Sequence, residues 1–150
     1  MPQHFFDSSA LLKRYRDETG SQWIVELTKT SDRLVVARLA HVEVMAALIR
    51  RARQSAELPR NVESVLTAFE NDIQRDFHVV EFGELLIARA LDLLRAHGLR
   101  AADAIQLAAA LVSRPAPPVA GGFFLVSADD ELNAAAAAEG LQVENPNFHP

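Results

Sequence analysis

The stretch Phe123-Phe124-Leu125-Val126-Ser127-Ala128-Asp129 places four consecutive apolar residues ahead of a serine, an alanine and an acid, then runs into residues 130–138. A short apolar run bounded by polar residues fits a strand buried on both faces. Asp130 and Glu131 followed by Leu132 and a run of alanines fit a helix with acids in its first turn. A strand passing directly into a helix is half of a strand-helix-strand unit, from which parallel sheets are built. The same order recurs along the chain. Candidate strands lie at 4–7, 34–36, 79–82, 123–126 and 141–143, and helical patterns occupy 9–16, 21–29, 41–53, 61–74, 84–96, 101–112 and 130–138. Five strands with helices between them predict an α/β fold in three layers, α/β/α, around a mostly parallel five-stranded sheet, because right-handed crossovers place helices on both faces.

Local signals support these boundaries. Thr19-Gly20-Ser21-Gln22 has capping-box spacing ahead of the second helix, and Pro59 suits the start of the fourth. Gly98 and Gly140 fit helix C-termini, where a left-handed residue is needed, and residues 114–122, rich in proline and glycine, break all periodicity. The alanines at 134–138 suit a helix packed close to the sheet. No internal repeat or second domain boundary is visible, so residues 1–150 are expected to form one domain.

Composition narrows the function classes. With 150 residues, 49% of them hydrophobic, the chain can bury one core, and a net charge of -5 is far from the signature of disorder. The absence of cysteine removes disulfides and thiolate zinc sites, and it suits a reducing compartment. No basic segment leading into an apolar stretch opens the chain and no apolar run approaches membrane length, so a cytoplasmic protein without a membrane partner is expected. His4, His41, His78, His97 and His149 show no zinc-binding spacing.

In an open parallel sheet, ligands bind beyond the carboxyl ends of the strands. Asp7 closes the first strand, Glu43 lies in the first turns of the helix after residues 34–36, Asp103 opens an otherwise apolar helix, and Asp129 follows the fourth strand. Each has an ordinary structural role open to it: Asp7 and Asp129 as helix N-caps, Asp103 in a first turn favoured by the helix dipole, Glu43 as a solvated helix residue. Their recurrence at one edge favours function, since converging carboxylates repel unless a cation holds them. Oxygen ligands of this kind suit magnesium or manganese.

These residues carry a family resemblance that spans nearly the whole chain. Asp7-Ser8-Ser9-Ala10-Leu11-Leu12, His41-Val42-Glu43-Val44, Leu99-Arg100-Ala101-Ala102-Asp103-Ala104-Ile105-Gln106-Leu107-Ala108, Ser127-Ala128-Asp129 and the ending Gly140-Leu141-Gln142-Val143-Glu144-Asn145-Pro146 resemble the PIN-domain nucleases, in particular the VapC-like toxins of toxin–antitoxin pairs. The resemblance implies a PIN-like domain that hydrolyses RNA phosphodiesters through metal-activated water. Asp7, Glu43, Asp103 and Asp129 would be the catalytic and metal-site acids, with Mg²⁺ or Mn²⁺ as cofactor. It also implies a homodimer neutralised by a cognate antitoxin that lays an apolar helix against it, with the helices around Trp23 and Ile49 as candidate docking surfaces.

Beside the acids, Ser9 and Ser127 are candidates to hydrogen-bond the carboxylates, or are simple caps. Lys13, Arg14 and Arg100 are candidate RNA contacts, or solvent-facing cations or ion-pair partners. Arg16 is a further basic residue near the site. Asp130 and Glu131 adjoin Asp129, and only one or two of the three can face the cleft. Asp17 and Glu18 fit a solvated helix end, and Asp72 and Asp76 surface charges. Trp23, spaced helically with Ile24 and Leu27, fits a core or interface.

A dinucleotide or P-loop domain is excluded by the lack of either glycine motif. A phosphorylated receiver domain is disfavoured because Lys13 and Lys29 are the only lysines, and neither follows the last strands. A PIN-type nuclease of general RNA processing stays open, as does a catalytically inert interaction module. The second would be expected to have lost one of the four acids.

Overall fold

Five strands, β1 (Gln3–Phe6), β2 (Arg33–Ala37), β3 (Phe77–Val80), β4 (Phe123–Val126) and β5 (Gln142–Glu144), form one sheet in the order β3-β2-β1-β4-β5 with every pairing parallel. The computed structural model describes residues 1–55 and 59–150. The helices are α1 (Ser8–Leu12), α2 (Ser21–Thr30), α3 (Arg38–Ser55), α4 (Pro59–Arg75), α5 (Glu84–His97), α6 (Ala101–Ser113) and α7 (Asp130–Ala138), with a 3₁₀ turn at Pro146–Phe148. Strands 1 to 3 spread to one side and strands 4 and 5 to the other. The strand order therefore reverses between β1 and β4, and the crevice at their carboxyl ends is the switch point where such sheets bind ligands.

Alternation along the strands builds two cores. Phe5, Val35 and Leu125 face one side of the sheet, where Leu86, Ala90 and Leu93 of α5, Leu107 and Ala108 of α6, and Leu132 and Ala136 of α7 cover them. Phe6, Val36 and Val126 face the other, against Leu11 of α1, Ile24 of α2, Val44 and Leu48 of α3, and Phe69 and Ile73 of α4. The expected three layers follow. The alanine run of α7 does bring that helix close to the sheet, with Ala135 and Ala136 buried.

Four local expectations need correction. β3 lies two residues earlier than 79–82, because Phe77 is buried edge-on against Phe6 while Phe82 is half exposed beyond the strand. α1 stops at Leu12 rather than running to 16. The capping box at Thr19 is not formed: the N-cap of α2 is Gly20, at φ +84°, with no side-chain cap. A Cβ on Gly20 would stand 2.3 Å from the Pro146 carbonyl oxygen, so glycine is required there by both conformation and space. Asp72 is not a free surface charge, since it accepts a hydrogen bond from the Tyr15 hydroxyl at 2.8 Å and pairs with Arg14 and Arg75. The left-handed Gly98, at φ +63°, caps α5 as its spacing predicted.

Candidate active site

The switch point positions two of the four acids directly. Asp7 leaves β1 and Asp129 comes three residues after the end of β4, the strand paired with β1. Both are indeed N-caps: Asp7 Oδ1 accepts from the Ala10 N–H at 2.9 Å and Asp129 Oδ1 from the Leu132 N–H at 2.9 Å. The two serines stitch these turns together. Ser127 Oγ donates to Asp7 Oδ2 at 2.8 Å and accepts from the Asp129 N–H at 3.0 Å. Ser9 Oγ donates to Asp7 Oδ1 at 2.7 Å and accepts from the Ala128 N–H at 3.0 Å. The predicted contacts of Ser9 and Ser127 with carboxylate oxygen are therefore present, both of them on Asp7.

Burial pushes the Asp7 carboxyl up to about 6. The three hydrogen bonds pull the other way, and the neighbouring charge of Asp129 adds a smaller upward push. The Asp103 carboxyl is also raised, first by burial and then by Asp129, with the Arg100 guanidinium opposing. Mutual repulsion between the acids is thus part of the site.

Asp7, Glu43, Asp103 and Asp129 all line one cavity of about 450 Å³, together with Ser8, Ser9, Arg50, Arg100 and Gln106 and an apolar wall that includes Leu12 and Val42. Glu43 reaches it from α3, and its Oε1 accepts from Ser8 Oγ at 2.6 Å and Gln106 Nε2 at 3.0 Å. Asp103 reaches it from the first turn of α6. Arg100, at the N-cap of α6, spans the last two acids, Nε at 3.2 Å from Asp103 Oδ2 and Nη2 at 3.5 Å from Asp129 Oδ2. Among the described residues, no three acidic or histidine side chains stand together as a ready-made ion site in these rotamers. The four acids share a cavity without being closed onto one point, and a guanidinium supplies the positive charge between two of them.

The donor set nonetheless fits a hard divalent cation. It is all oxygen, it carries four carboxylates, and among the described residues Glu43 Oε2 and Asp103 Oδ1 accept no hydrogen bond. The other predicted contacts are placed elsewhere. Lys13 is buried, with Nζ on the Thr19 carbonyl at 2.8 Å and on Glu18 Oε1 at 3.1 Å, so Glu18 is an ion-pair partner and not a solvated helix end. Arg14 pairs with Asp72 and lies over the rings of Tyr15 and Phe77. Neither lines the cavity, whereas Arg100 does. Asp130 accepts from Asn145 Nδ2 at 3.2 Å, and neither it nor Glu131 lines the cavity. Sequence reasoning missed Ser8, Gln106 and Arg50. The available signal for Gln106 was its place as the one polar residue between Asp103 and Ser113 of an apolar helix, one turn after the acid.

A PIN-domain family model matches residues 4–138. The chain belongs to the PIN-domain family. Within it the chain is VapC-like: it is 37% identical over 155 aligned residues, covering all of both chains, to ribonuclease VapC45 of Mycobacterium tuberculosis. The fold of this PIN domain is also that of a toxin–antitoxin complex chain from Klebsiella pneumoniae, at TM-score 0.63 and 17% identity with 96% and 98% of the two chains covered. It is likewise shared with PAE2754 of Pyrobaculum aerophilum, at TM-score 0.65 and 20% identity with 97% and 85% covered. Divalent-metal dependence is general among PIN-domain ribonucleases. Among the described residues of this PIN domain, no helix is long and apolar enough to cross a membrane.

Proposed function

We propose that this PIN domain is an Mg²⁺- or Mn²⁺-dependent endoribonuclease, the toxin of a toxin–antitoxin pair. The observation that carries the reading is the delivery of Asp7, Glu43, Asp103 and Asp129 from four different elements to one cavity at the switch point of the sheet. Full-length similarity to a VapC ribonuclease supports RNA as the substrate. Asp7, Glu43 and Asp103 would hold the cation, with Asp129 assisting. When bound, such an ion lowers the pKa of water and neutralises phosphate charge.

The chain's own residues supply the rest. Asp7 is fixed by three donors, so its carboxylate meets the ion without first having to be ordered. Arg100 bridges Asp103 and Asp129 from the cavity lip; a cation that took over those oxygens would free its guanidinium for an RNA phosphate. Arg50, on the cavity wall and paired with no carboxylate among the described residues, offers a second phosphate contact. The partners that go with this reading are a cognate antitoxin, in line with the likeness to a toxin–antitoxin complex, and a second copy of the chain.

The test is cleavage of a defined RNA by the purified chain. Activity with Mn²⁺ or Mg²⁺ is expected to be abolished by chelator and to fall by two orders of magnitude or more, ~10²-fold, in Asp103→Asn. Equal cleavage by wild type and Asp103→Asn would mean that the nuclease is a contaminant.

A further inference from the structure

One hydrogen-bond group in the cavity is built at a cost that caps and core packing leave unexplained. Gln106 is buried at 2% exposure in the middle of α6, among Ala104, Leu107 and Ala108. Its Nε2 donates to Glu43 Oε1 at 3.0 Å and to Ser8 Oγ at 2.9 Å, and Ser8 Oγ donates in turn to the same Glu43 oxygen at 2.6 Å. Its Oε1 is buried, with no hydrogen-bond partner among the described residues. Turning the amide over would set Oε1 against Glu43 Oε1, two acceptors face to face. The orientation that leaves one carbonyl unsatisfied is therefore the one that puts a donor on the Glu43 carboxylate. A leucine or methionine would fill this place in the core without an orphaned acceptor, so the amide is there for Glu43 and not for stability.

We propose that Gln106, acting with Ser8, is a positioning residue of the metal site. Its amide and the Ser8 hydroxyl together saturate Glu43 Oε1 and fix the carboxylate, leaving Oε2 as the oxygen offered to the cation. The link also ties α6, which carries Asp103, to α3, which carries Glu43, and to the start of α1 beside Asp7. Three of the four acids are thereby held in one frame through a single amide. The inference rests on the proposed metal site but concerns a residue outside the four acids.

Mn²⁺ affinity measured by calorimetry on the full chain tests it without any RNA. Gln106→Met keeps volume and apolar packing while removing the donor, and Ser8→Ala removes the second donor should the core variant fold poorly. Both are expected to bind Mn²⁺ roughly 10- to 100-fold more weakly than wild type, the range typical of groups that orient metal ligands. In a Glu43→Gln background, either substitution is expected to add little, because its effect passes through the Glu43 carboxylate. Wild-type affinity in folded Gln106→Met and Ser8→Ala would overturn the inference while leaving the metal site standing. So would an equal loss with and without Glu43. Failure of the wild-type chain to bind Mn²⁺ would overturn both.

Discussion

At the residue scale, Asp7 concentrates the chemistry. Its carboxyl is pushed up to about 6 by burial, while an unfolded aspartate titrates near 4. Between those values the folded state holds the proton more tightly than the unfolded chain. The stabilising contribution is therefore full below about pH 4 and is lost as pH rises to about 6, by on the order of 3 kcal/mol for this one group. Melting temperatures in chelator are expected to show this decline from pH 4 to 6, and Asp7→Asn, which cannot titrate, is expected to flatten it. Saturating Mn²⁺, which favours the ionised form, should flatten it in wild type as well. An identical pH profile in wild type and Asp7→Asn would show that this carboxyl is not perturbed. Asp7 also shows what a sequence leaves undecided, since cap and site were competing readings and the structure makes it a cap whose other oxygen is held by Ser127 from the next strand. Pairing of β1 with β4 creates that contact, and no local pattern around Asp7 encodes it.

At the scale of elements, strands and helices were legible where periodicity and length agreed. α7 and β4 fall where the apolar run and the acids placed them, and α5 ends at the left-handed Gly98. Errors arose where tertiary contacts chose between local options. Phe77, Val79 and Phe82 all suit a strand, and packing of Phe77 on Phe6 selects the earlier register. Lys13 and Arg14 look like extensions of a helix, and as cations both solvent and an ion pair were open to them; the ion pair holds, with Lys13 folded back onto Glu18 and Thr19 and Arg14 drawn to the distant Asp72. The start of α2 is set the same way, by the close approach of Gly20 to Pro146. Gly20→Ala is expected to destabilise the chain by about 1–3 kcal/mol, because it forces a Cβ into a left-handed residue with no room beside it. Urea denaturation checks this, and an unchanged midpoint would show that the Pro146 turn can move aside. In α6, Leu107→Ala is expected to cost about 2–5 kcal/mol in the same assay, as a fully buried leucine leaves a cavity between helix and sheet.

For the whole molecule, the strand order β3-β2-β1-β4-β5 is what turns four acids scattered from position 7 to position 129 into one site. The sequence placed each acid after a strand or at a helix start, and the parallel sheet delivers those places to one edge. An ion pair was open to Arg100 from its charge, but nothing local named Asp103 and Asp129 as its two partners, or showed that the acids would share a cavity without closing on a point. That arrangement suits a site assembled by its cation, with the arginine giving way. Arg100→Gln is accordingly expected to leave Mn²⁺ binding intact or stronger while weakening RNA affinity, a split that filter binding and calorimetry would resolve. The most direct measurement of the central claim is the melting temperature of wild type and Asp103→Asn in chelator and across a Mn²⁺ titration at fixed ionic strength. A cation bound by the native state alone stabilises it by about 2.7 kcal/mol at a hundredfold excess over Kd, on the order of 5–10 °C for a chain of this size. The expected result is a clear rise for wild type, with Asp103→Asn at least as stable in chelator but much less responsive to Mn²⁺. Parallel titration curves for the two proteins would contradict the account, because Asp103 would then not be a ligand.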